Sequence, residues 1–345
     1  MTHRVGVIGA GLSGLMAART LQLAGLEVVV FDKGRRAGGR ANTREHSGYR
    51  FDHGAQFFTV RDEALGPHLQ GWLREGLVQE WGGRLVRIEG EAMSPAKEAT
   101  RYVGVPGMIN LALHLASTLD VQTLVRIEKV DASRSGWKFL DTEAALRGEF
   151  QSVVVAVPPA QAVPLLSGAP ALQEQVGRIH VAPCWAVMLA FDEPLQLGFD
   201  GAFITEGPLS WIARDSSKPG RPKSESWVLH ATPEWTRRHW EVARSEVPRL
   251  MLDTLRNRFG TLPSPIFERA HRWGYALAGE PLGVGWSYDD AAGIGVCGDW
   301  CMGGRVEDAL LSGMNVAKRM LERLDDRAQP HARLRINQKL PSLRP

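Results

Sequence analysis

A glycine-rich run, Gly9-Ala10-Gly11-Leu12-Ser13-Gly14, stands between a strand-like stretch at 4–8 and a helix-like stretch, and Asp32 closes the next strand-like stretch. Each residue type has a task in holding a dinucleotide. Gly9 permits a tight turn, Gly11 lets a pyrophosphate approach the backbone, and Gly14 lets a helix pack closely on a strand. The helix N-terminus offers free N–H groups and the positive end of its dipole to phosphates. Asp32 can accept hydrogen bonds from ribose hydroxyls. A second glycine pair follows, Gly38-Gly39-Arg40-Ala41-Asn42-Thr43, whose arginine can meet a pyrophosphate from the side opposite the helix. Taken alone, that fragment also reads as a solvated loop. Near the end, Gly298-Asp299 precedes Arg305-Val306-Glu307 at the start of a last helix. An acid there can bind ribityl hydroxyls, and the helix N-terminus can face the pyrimidine edge of a flavin. A helix that merely begins with acids is the plainer alternative.

These residues need elements to position them. The spacing predicts a strand at 4–8, a helix at 12–24 closed by Gly25, and a strand at 27–31. Such a unit implies a right-handed crossover and a parallel sheet covered on both faces. Residues 63–103, with Trp72 and Trp81 and no clear repeat, read as an insertion. A helix is expected at 106–118, with Pro106 in its first turn and Met108, Leu111, Ala112 and Leu115 on one face. Strand-like runs at 121–130, 137–140 and 150–157 suggest a small antiparallel meander before the dense run VVVAVPP. The 161–267 stretch is rich in tryptophan; a last buried strand at 293–297 and a last helix at 306–324 follow. The expected division is a discontinuous dinucleotide-binding domain at 1–62, 104–160 and 268–327, a substrate domain at 63–103 and 161–267, and a disordered basic tail at 328–345.

Composition narrows the classes of function. The 345 residues are 44% hydrophobic and 23% charged, the range of globular chains. The formal net charge of +3 is matched by Arg333, Arg335, Lys339 and Arg344 of the tail, so the rest is close to neutral and gives no case for nucleic-acid binding. Three cysteines, Cys184, Cys297 and Cys301, are too few for a disulfide framework or a zinc site. A reducing, cytoplasmic setting is expected, with no membrane span and no metal.

The ordered set GAGLSG, GGRANT, FDHGAQFFT, VVVAVPP and CGDWCMGGRVEDALLSG resembles the flavin amine oxidase and renalase superfamily. FDHGAQFFT, RYVGVPGM, CWAVMLAF, WIARDSSKP, WVLHATPEW and HRWGYA are similar to segments of bacterial renalases in the same order, so that the resemblance spans residues 4–325. It implies an α/β fold: a glutathione-reductase-like FAD-binding Rossmann domain with an interleaved α+β substrate domain containing a mixed or antiparallel sheet. It also implies site residues. Gly9, Gly11, Leu12, Ser13 and Gly14 match the phosphate loop, Asp32 and Lys33 the ribose region, and Arg40 a second pyrophosphate contact. Gly54, Ala55 and Gln56 match the stretch beside the flavin ring, Val125 the position whose backbone meets adenine, and Asp299 and Val306 the ribityl and pyrimidine contacts. Relatives that attach FAD covalently carry a cysteine some tens of residues before the last strand. Residues 265–292 contain none, so non-covalent FAD is expected.

The activity implied is oxidation of the 2- and 6-dihydro isomers of NAD(P)H, with hydride passing to FAD and electrons to O2, giving NAD(P)+ and H2O2. Removing hydride from a dihydropyridine restores aromaticity and needs no proton abstraction, so the chain must mainly hold the donor carbon about 3–3.5 Å from the acceptor. Candidates for holding it are Gln56, Phe58 and Thr59, and Trp185, His230 and Tyr275 from the second domain, each also readable as core. Arg101 and Arg305 are candidates for a substrate phosphate, and His271, Arg272 and Trp273 for pocket or packing. Two other functions share the FAD motifs: a flavin amine oxidase or desaturase acting on an amine or apolar substrate, and a non-catalytic redox sensor. A lysine bridging water to the flavin is common in amine oxidases. Lys218 and Lys223 are the lysines of the 161–267 stretch, and their setting, SSKPGRPKSES, predicts that they are not buried. The expected partners are the nicotinamide nucleotide and O2, and the expected state a monomer or weak dimer.

Overall fold

The computed structural model describes residues 3–328, so the stretch expected to form a basic tail lies, past Ala328, outside the described residues. A six-stranded sheet runs in the order β19 (Ser287–Asp289), β20 (Ile294–Val296), β13 (Ser152–Val155), β1 (Arg4–Ile8), β2 (Glu27–Asp32) and β9 (Asp120–Thr123). Every pair is parallel except β19 with β20. The valine-rich central strands are buried because both faces are covered. On one face α1 (Leu12–Leu23), α3 (Ile109–Ala116) and α8 (Val306–Ala328) bring Leu15, Leu111 and Leu310 onto Val5, Val7, Val28 and Val30. On the other lie an antiparallel meander, β10 (Ile127–Ser133), β11 (Gly136–Asp141) and β12 (Leu146–Phe150), and the short helices α4 (Pro159–Ala162) and α5 (Pro170–Gly177). Phe31, Phe139 and Phe150 meet there with ring centroids 4.6–5.9 Å apart. Gly6 makes that approach possible, since a Cβ on it would lie 2.5 Å from the Phe139 ring.

Two local expectations are corrected. The run at 121–130 is not one strand: its start pairs with β2 in the main sheet, its end opens the meander, and Leu124, at φ 60°, turns the chain between them. The helix expected at 106–118 spans Ile109–Ala116, and Pro106, which follows a cis peptide bond, precedes it. Its expected face is buried all the same.

The second sheet is mixed, in the order β18 (Phe267–Ala278), β14 (Val181–Phe191), β17 (Glu225–Ala231), β16 (Leu209–Arg214), β15 (Gly201–Ile204), β6 (Leu85–Glu89) and β7 (Ala92–Pro95). Only β15 and β6 are parallel within it. The insertion at 63–103 therefore supplies two of its strands, together with α2 (Gly66–Arg74) and β5 (Val78–Glu80), which pairs with β8 (Tyr102–Gly104). Residues 268–278, expected with the dinucleotide-binding segments, instead form most of its edge strand β18. α6 (Pro233–Arg238) and α7 (Val247–Phe259) cover one face, over Trp185, Val187, Leu189, Trp227 and Leu229. The opposite face meets a two-stranded ribbon, β3 (Thr43–His46) and β4 (Tyr49–Asp52), where Phe51 packs on Met188, Ala190 and Val228. Among the described residues no helix is long and apolar enough to cross a membrane.

Candidate active site

The turn after β1 is built by steric need. A Cβ on Gly9 (φ 110°) would lie 2.5 Å from the Ala156 carbonyl oxygen, and one on Gly14 would overlap the Gly9 carbonyl. Gly11 differs: a Cβ there would meet nothing within 4 Å, and the first turn of α1 holds no acid and no side-chain cap. The start of the helix is therefore open at Gly11, with no acid or side-chain cap of its own competing for the N–H groups that a pyrophosphate would take. Leu12 and Ser13 are buried in that turn, and α8 crosses at Gly313, where a Cβ would overlap the Ser13 carbonyl. The second glycine pair closes on the same turn. The Gly38 N–H donates to the Ala10 carbonyl at 2.8 Å, and a Cβ on Gly39 would lie 3.3 Å from the Gly11 Cα.

Asp32 holds the other wall. Its carboxylate accepts from the Ala10 N–H at 2.7 Å and the Gly34 N–H at 2.6 Å, leaving acceptor capacity on each oxygen for a ribose hydroxyl. The Val125 N–H donates to the Asp32 carbonyl at 3.0 Å, which puts the expected adenine position beside it. The Lys33 ammonium donates to Gln161 at 2.9 Å on the same rim, and burial lowers its pKa. Arg40 pairs with Asp299 through two bonds of 2.5 and 2.8 Å and donates to the Ala276 carbonyl at 3.1 Å. The groups expected at the pyrophosphate and at the ribityl chain thus share one locus, with Val306 opening α8 a few residues on. This open turn, the flanking acid and the second glycine pair fit FAD.

The flavin-side stretch leaves β4 and is sewn to the Arg40 loop. The Ala55 N–H donates to the Arg40 carbonyl at 2.9 Å, and a Cβ on Gly54 would overlap that carbonyl and sit 3.3 Å from Trp273. Gln56 is buried. Its amide donates to the Asp52 carbonyl in its own loop, and its Oε1 accepts from Lys218 Nζ at 3.2 Å. Gln56 therefore braces the loop and does not face a substrate. Lys218 corrects the sequence expectation: its side chain is fully buried, 2.5 Å from Asp215 and 3.4 Å from Asp52. Arg221 pairs with the same two carboxylates, so two cations balance two anions out of water. Burial would raise the Asp52 pKa, but Lys218 and Arg221 outweigh it and hold the pKa low; burial pushes Asp215 up. Asp52 also accepts from Thr43 Oγ1 at 2.6 Å and the Met108 N–H at 3.0 Å, which ties β3, β4, α3 and the 215–221 segment together.

The sheet face above this loop is aromatic. His230 on β17 and Trp273 on β18 both donate to the His53 carbonyl, at 3.2 and 2.9 Å. The His53 ring stacks on Trp273 at 5.1 Å and meets His271 edge-on at 4.9 Å. Burial, then His271 and Arg44, lowers the His53 pKa to about 3; burial lowers His230 and His271 to about 4. All three imidazoles are neutral at neutral pH. Phe57 is half-buried beside Trp211, at 5.5 Å, and Trp81, at 6.1 Å.

Of the substrate candidates, His230 is on this face, while Thr59 and Tyr275 are half-buried, the latter two residues past Trp273 where the β14–β18 register slips. Phe58 is core, its backbone bridged to Tyr102; its neighbour Phe57 is the accessible ring. Trp185 is 0% exposed on the face away from the flavin-side loop, with Nε1 donating to the His239 carbonyl at 3.1 Å, and Arg272 packs over it on that far side. Strand alternation puts it there. Arg101 donates to the carbonyls of Lys97 and Ala99 and lies over the Phe57 ring at 5.6 Å with no carboxylate among the described residues paired to it, whereas the charge of Arg305 is already met by Asp308 and Glu307. Glu307 in turn accepts from the N–H groups of Arg61 and Asp62, at 2.5 and 2.8 Å, tying α8 to the end of the flavin-side loop. Sequence reasoning missed Asp52, His53, Phe57, Asp215 and Arg221, and read Glu307 only as an acid at the start of the last helix. The available signal was a charge balance, FDHG and RDSSKPGR each beside an apolar strand. Among the described residues no cluster of side chains could hold a metal.

Residues 7–75 match the family model described as an NAD(P)-binding Rossmann-like domain, and 63–321 match that of the flavin containing amine oxidoreductases. A Mus musculus protein named renalase is 22% identical over 295 residues, covering 79% of this chain and 84% of that one. The structure of cyclohexylamine oxidase from Brevibacterium oxydans IH-35A superposes with a TM-score of 0.75 at 15% identity, over 94% of this chain and 100% of that one. A putrescine oxidase bound to putrescine gives 0.73 at 16%, over 93% and 99%. At these identities the two structures speak to the fold: a Rossmann-like FAD-binding part with a mixed-sheet substrate part. With the family model running through both sheets and the renalase likeness covering most of its length, the chain belongs to the flavin containing amine oxidoreductase family, as a renalase-like, FAD-dependent oxidoreductase.

Proposed function

We propose that the protein oxidises the 2- and 6-dihydro isomers of NAD(P)H, each with O2 and a proton, to NAD(P)+ and H2O2. FAD, when bound, supplies the hydride acceptor and the route for electrons to oxygen. The observation that carries this reading is the wall beside Gly54–Gln56: the rings of Trp273 and His230 held on the His53 carbonyl, the His53 ring stacked on Trp273, and Phe57 near them. Such a wall can orient a flat dihydropyridine and exclude water. Its imidazoles, with pKa values of about 3 and 4, are poor bases at neutral pH, which suits a reaction that abstracts no proton. Gly54 and Ala55, locked to the Arg40 carbonyl, fix the distance between that wall and the cofactor-binding turn.

The FAD is held without a covalent bond in this reading. Cys184, Cys297 and Cys301 are free and buried, burial pushes the first two thiols up to about 12 and the third higher, and a thiol so protonated is no nucleophile. Acid precipitation should leave the yellow colour in the supernatant; flavin retained by the pellet would contradict it. A cytoplasmic setting suits three unbridged cysteines. The second reading is amine oxidation, favoured by the buried Lys218 on Gln56, although that ammonium is already engaged by Asp215 and Asp52. Anaerobic mixing with borohydride-generated NADH isomers, and in parallel with monoamines, separates the two by which compound bleaches the flavin.

A further inference from the structure

Beyond the ring of His271 lies a cleft of about 330 Å³ at the open edge of β18, lined by Arg44, Arg244, Arg269, His271, Ser245 and Glu268, among others. Arg44 comes from the β3 ribbon, Arg269 from the edge strand and Arg244 from the turn before α7, so three separate elements bring guanidinium groups to one opening. Among the described residues none of the three guanidinium groups makes a hydrogen bond or an ion pair, and the carboxylate of Glu268 pairs with none of them. Their repulsion is felt inside the cleft: after burial, the charges of Arg269, Arg36 and Arg244 lower the Arg44 pKa, and Arg44, Arg244 and Arg269 lower that of His271. Uncompensated like charges around a concave opening are a standing cost, relieved by an anion. Guanidinium forks match phosphate oxygens in geometry as well as charge.

The cleft adjoins the candidate active site. His271 forms its inner wall and stands 4.9 Å from His53 and 4.2 Å from Trp273, the rings above the flavin-side loop. We propose that Arg44, Arg244 and Arg269 form a subsite for the phosphate groups of the nucleotide substrate, whose nicotinamide ring lies on the other side of the His271 ring. This rests on the dihydronicotinamide reading and adds to it the part of the substrate that confers affinity. It also replaces Arg305, whose charge is already paired, in that role. The plainer alternative is that Arg269 merely guards an exposed strand edge against pairing with another chain.

The test uses FAD-loaded protein, so that the phosphate-binding turn before α1 is filled, and compares wild type with the double variant Arg244→Gln/Arg269→Gln; both residues are exposed, so folding is not at stake. Titration calorimetry with inorganic pyrophosphate should show binding that the double variant weakens by about ten-fold or more. In turnover, the preference for dinucleotide isomers over dihydronicotinamide riboside isomers should fall by about the same factor through KM, and pyrophosphate should compete with the dinucleotide. Equal pyrophosphate affinity in the two proteins, or no binding, overturns the subsite. Pyrophosphate that binds without competing assigns the cleft to a separate phosphorylated ligand and overturns the substrate role. Loss of pyrophosphate binding in the variant, with no isomer reducing the flavin of either protein, leaves an anion site and removes the dihydronicotinamide reading instead.

Discussion

Arg40 meets Asp299 across 259 positions of sequence, and the pair shows what a single side chain does at the cofactor end of the site. Arg40→Ala removes a charge-assisted bond worth about 1.5–3 kcal/mol and leaves Asp299 without its cation, so the Kd for FAD should rise roughly ten- to a hundred-fold in a fluorescence titration. An unchanged Kd would mean that Arg40 faces only its own protein partners. The roles of Gly9 and Gly14 could be anticipated because they follow from backbone crowding in a motif read directly along the chain. Trp185 could not, because a run of apolar residues does not say which face of a strand meets the other domain. Its position predicts a different phenotype from that of a pocket residue: Trp185→Ala should cost about 3–5 kcal/mol of stability in a denaturant melt. The flavin reduction rate per folded molecule should stay at the wild-type value, since this ring points away from the flavin-side loop.

At the scale of elements, the buried set of Asp52, Asp215, Lys218 and Arg221 joins the β3–β4 ribbon to the segment after β16 and braces Gln56 between them. The sequence around Lys218 is rich in serine, proline and charge and reads as solvated, because its partners lie 166 and 162 positions away in Asp52 and Gln56. Lys218→Met should destabilise by about 3–5 kcal/mol, the cost of stranding a buried carboxylate. Adding Asp215→Asn should recover much of that loss, and a melt of the double variant no better than the single one would refute the charge-balance account. The aromatic face predicts a pH dependence. His53 and His230 have folded pKa values of about 3 and 4 against 6.5 in the unfolded chain, so below 6.5 the unfolded state binds protons that the folded state refuses. Stability is therefore full above pH 6.5 and falls as the pH drops towards 4, by up to about 1.4 kcal/mol per pH unit for each imidazole. Melting temperatures at pH 7 and 5 measure the fall, and His230→Gln should make it shallower. An equal fall in that variant would place the proton uptake elsewhere.

Across the whole molecule, two large sheets share the chain in alternation, and the site lies where the separate β3–β4 ribbon meets one face of the mixed sheet. The parallel sheet was legible because its strand–helix–strand start has local signals: valine runs, a helix stop at Gly25 and an acid at the strand end. The membership of β18 and of the strands from the insertion was not, since pairings such as Val86 with Ala202 are set by long-range packing that no periodicity encodes. That shared boundary makes substrate choice a matter of geometry: a donor carbon misplaced by about 1 Å can lose ~100-fold in rate. Anaerobic stopped-flow reduction of the FAD-loaded protein tests this most directly. The account predicts that 2- or 6-dihydro-NAD(P) bleaches the flavin at least about 100-fold faster than ordinary 4-dihydro-NADH or any monoamine; rapid bleaching by an amine, with the isomers inert, would contradict it.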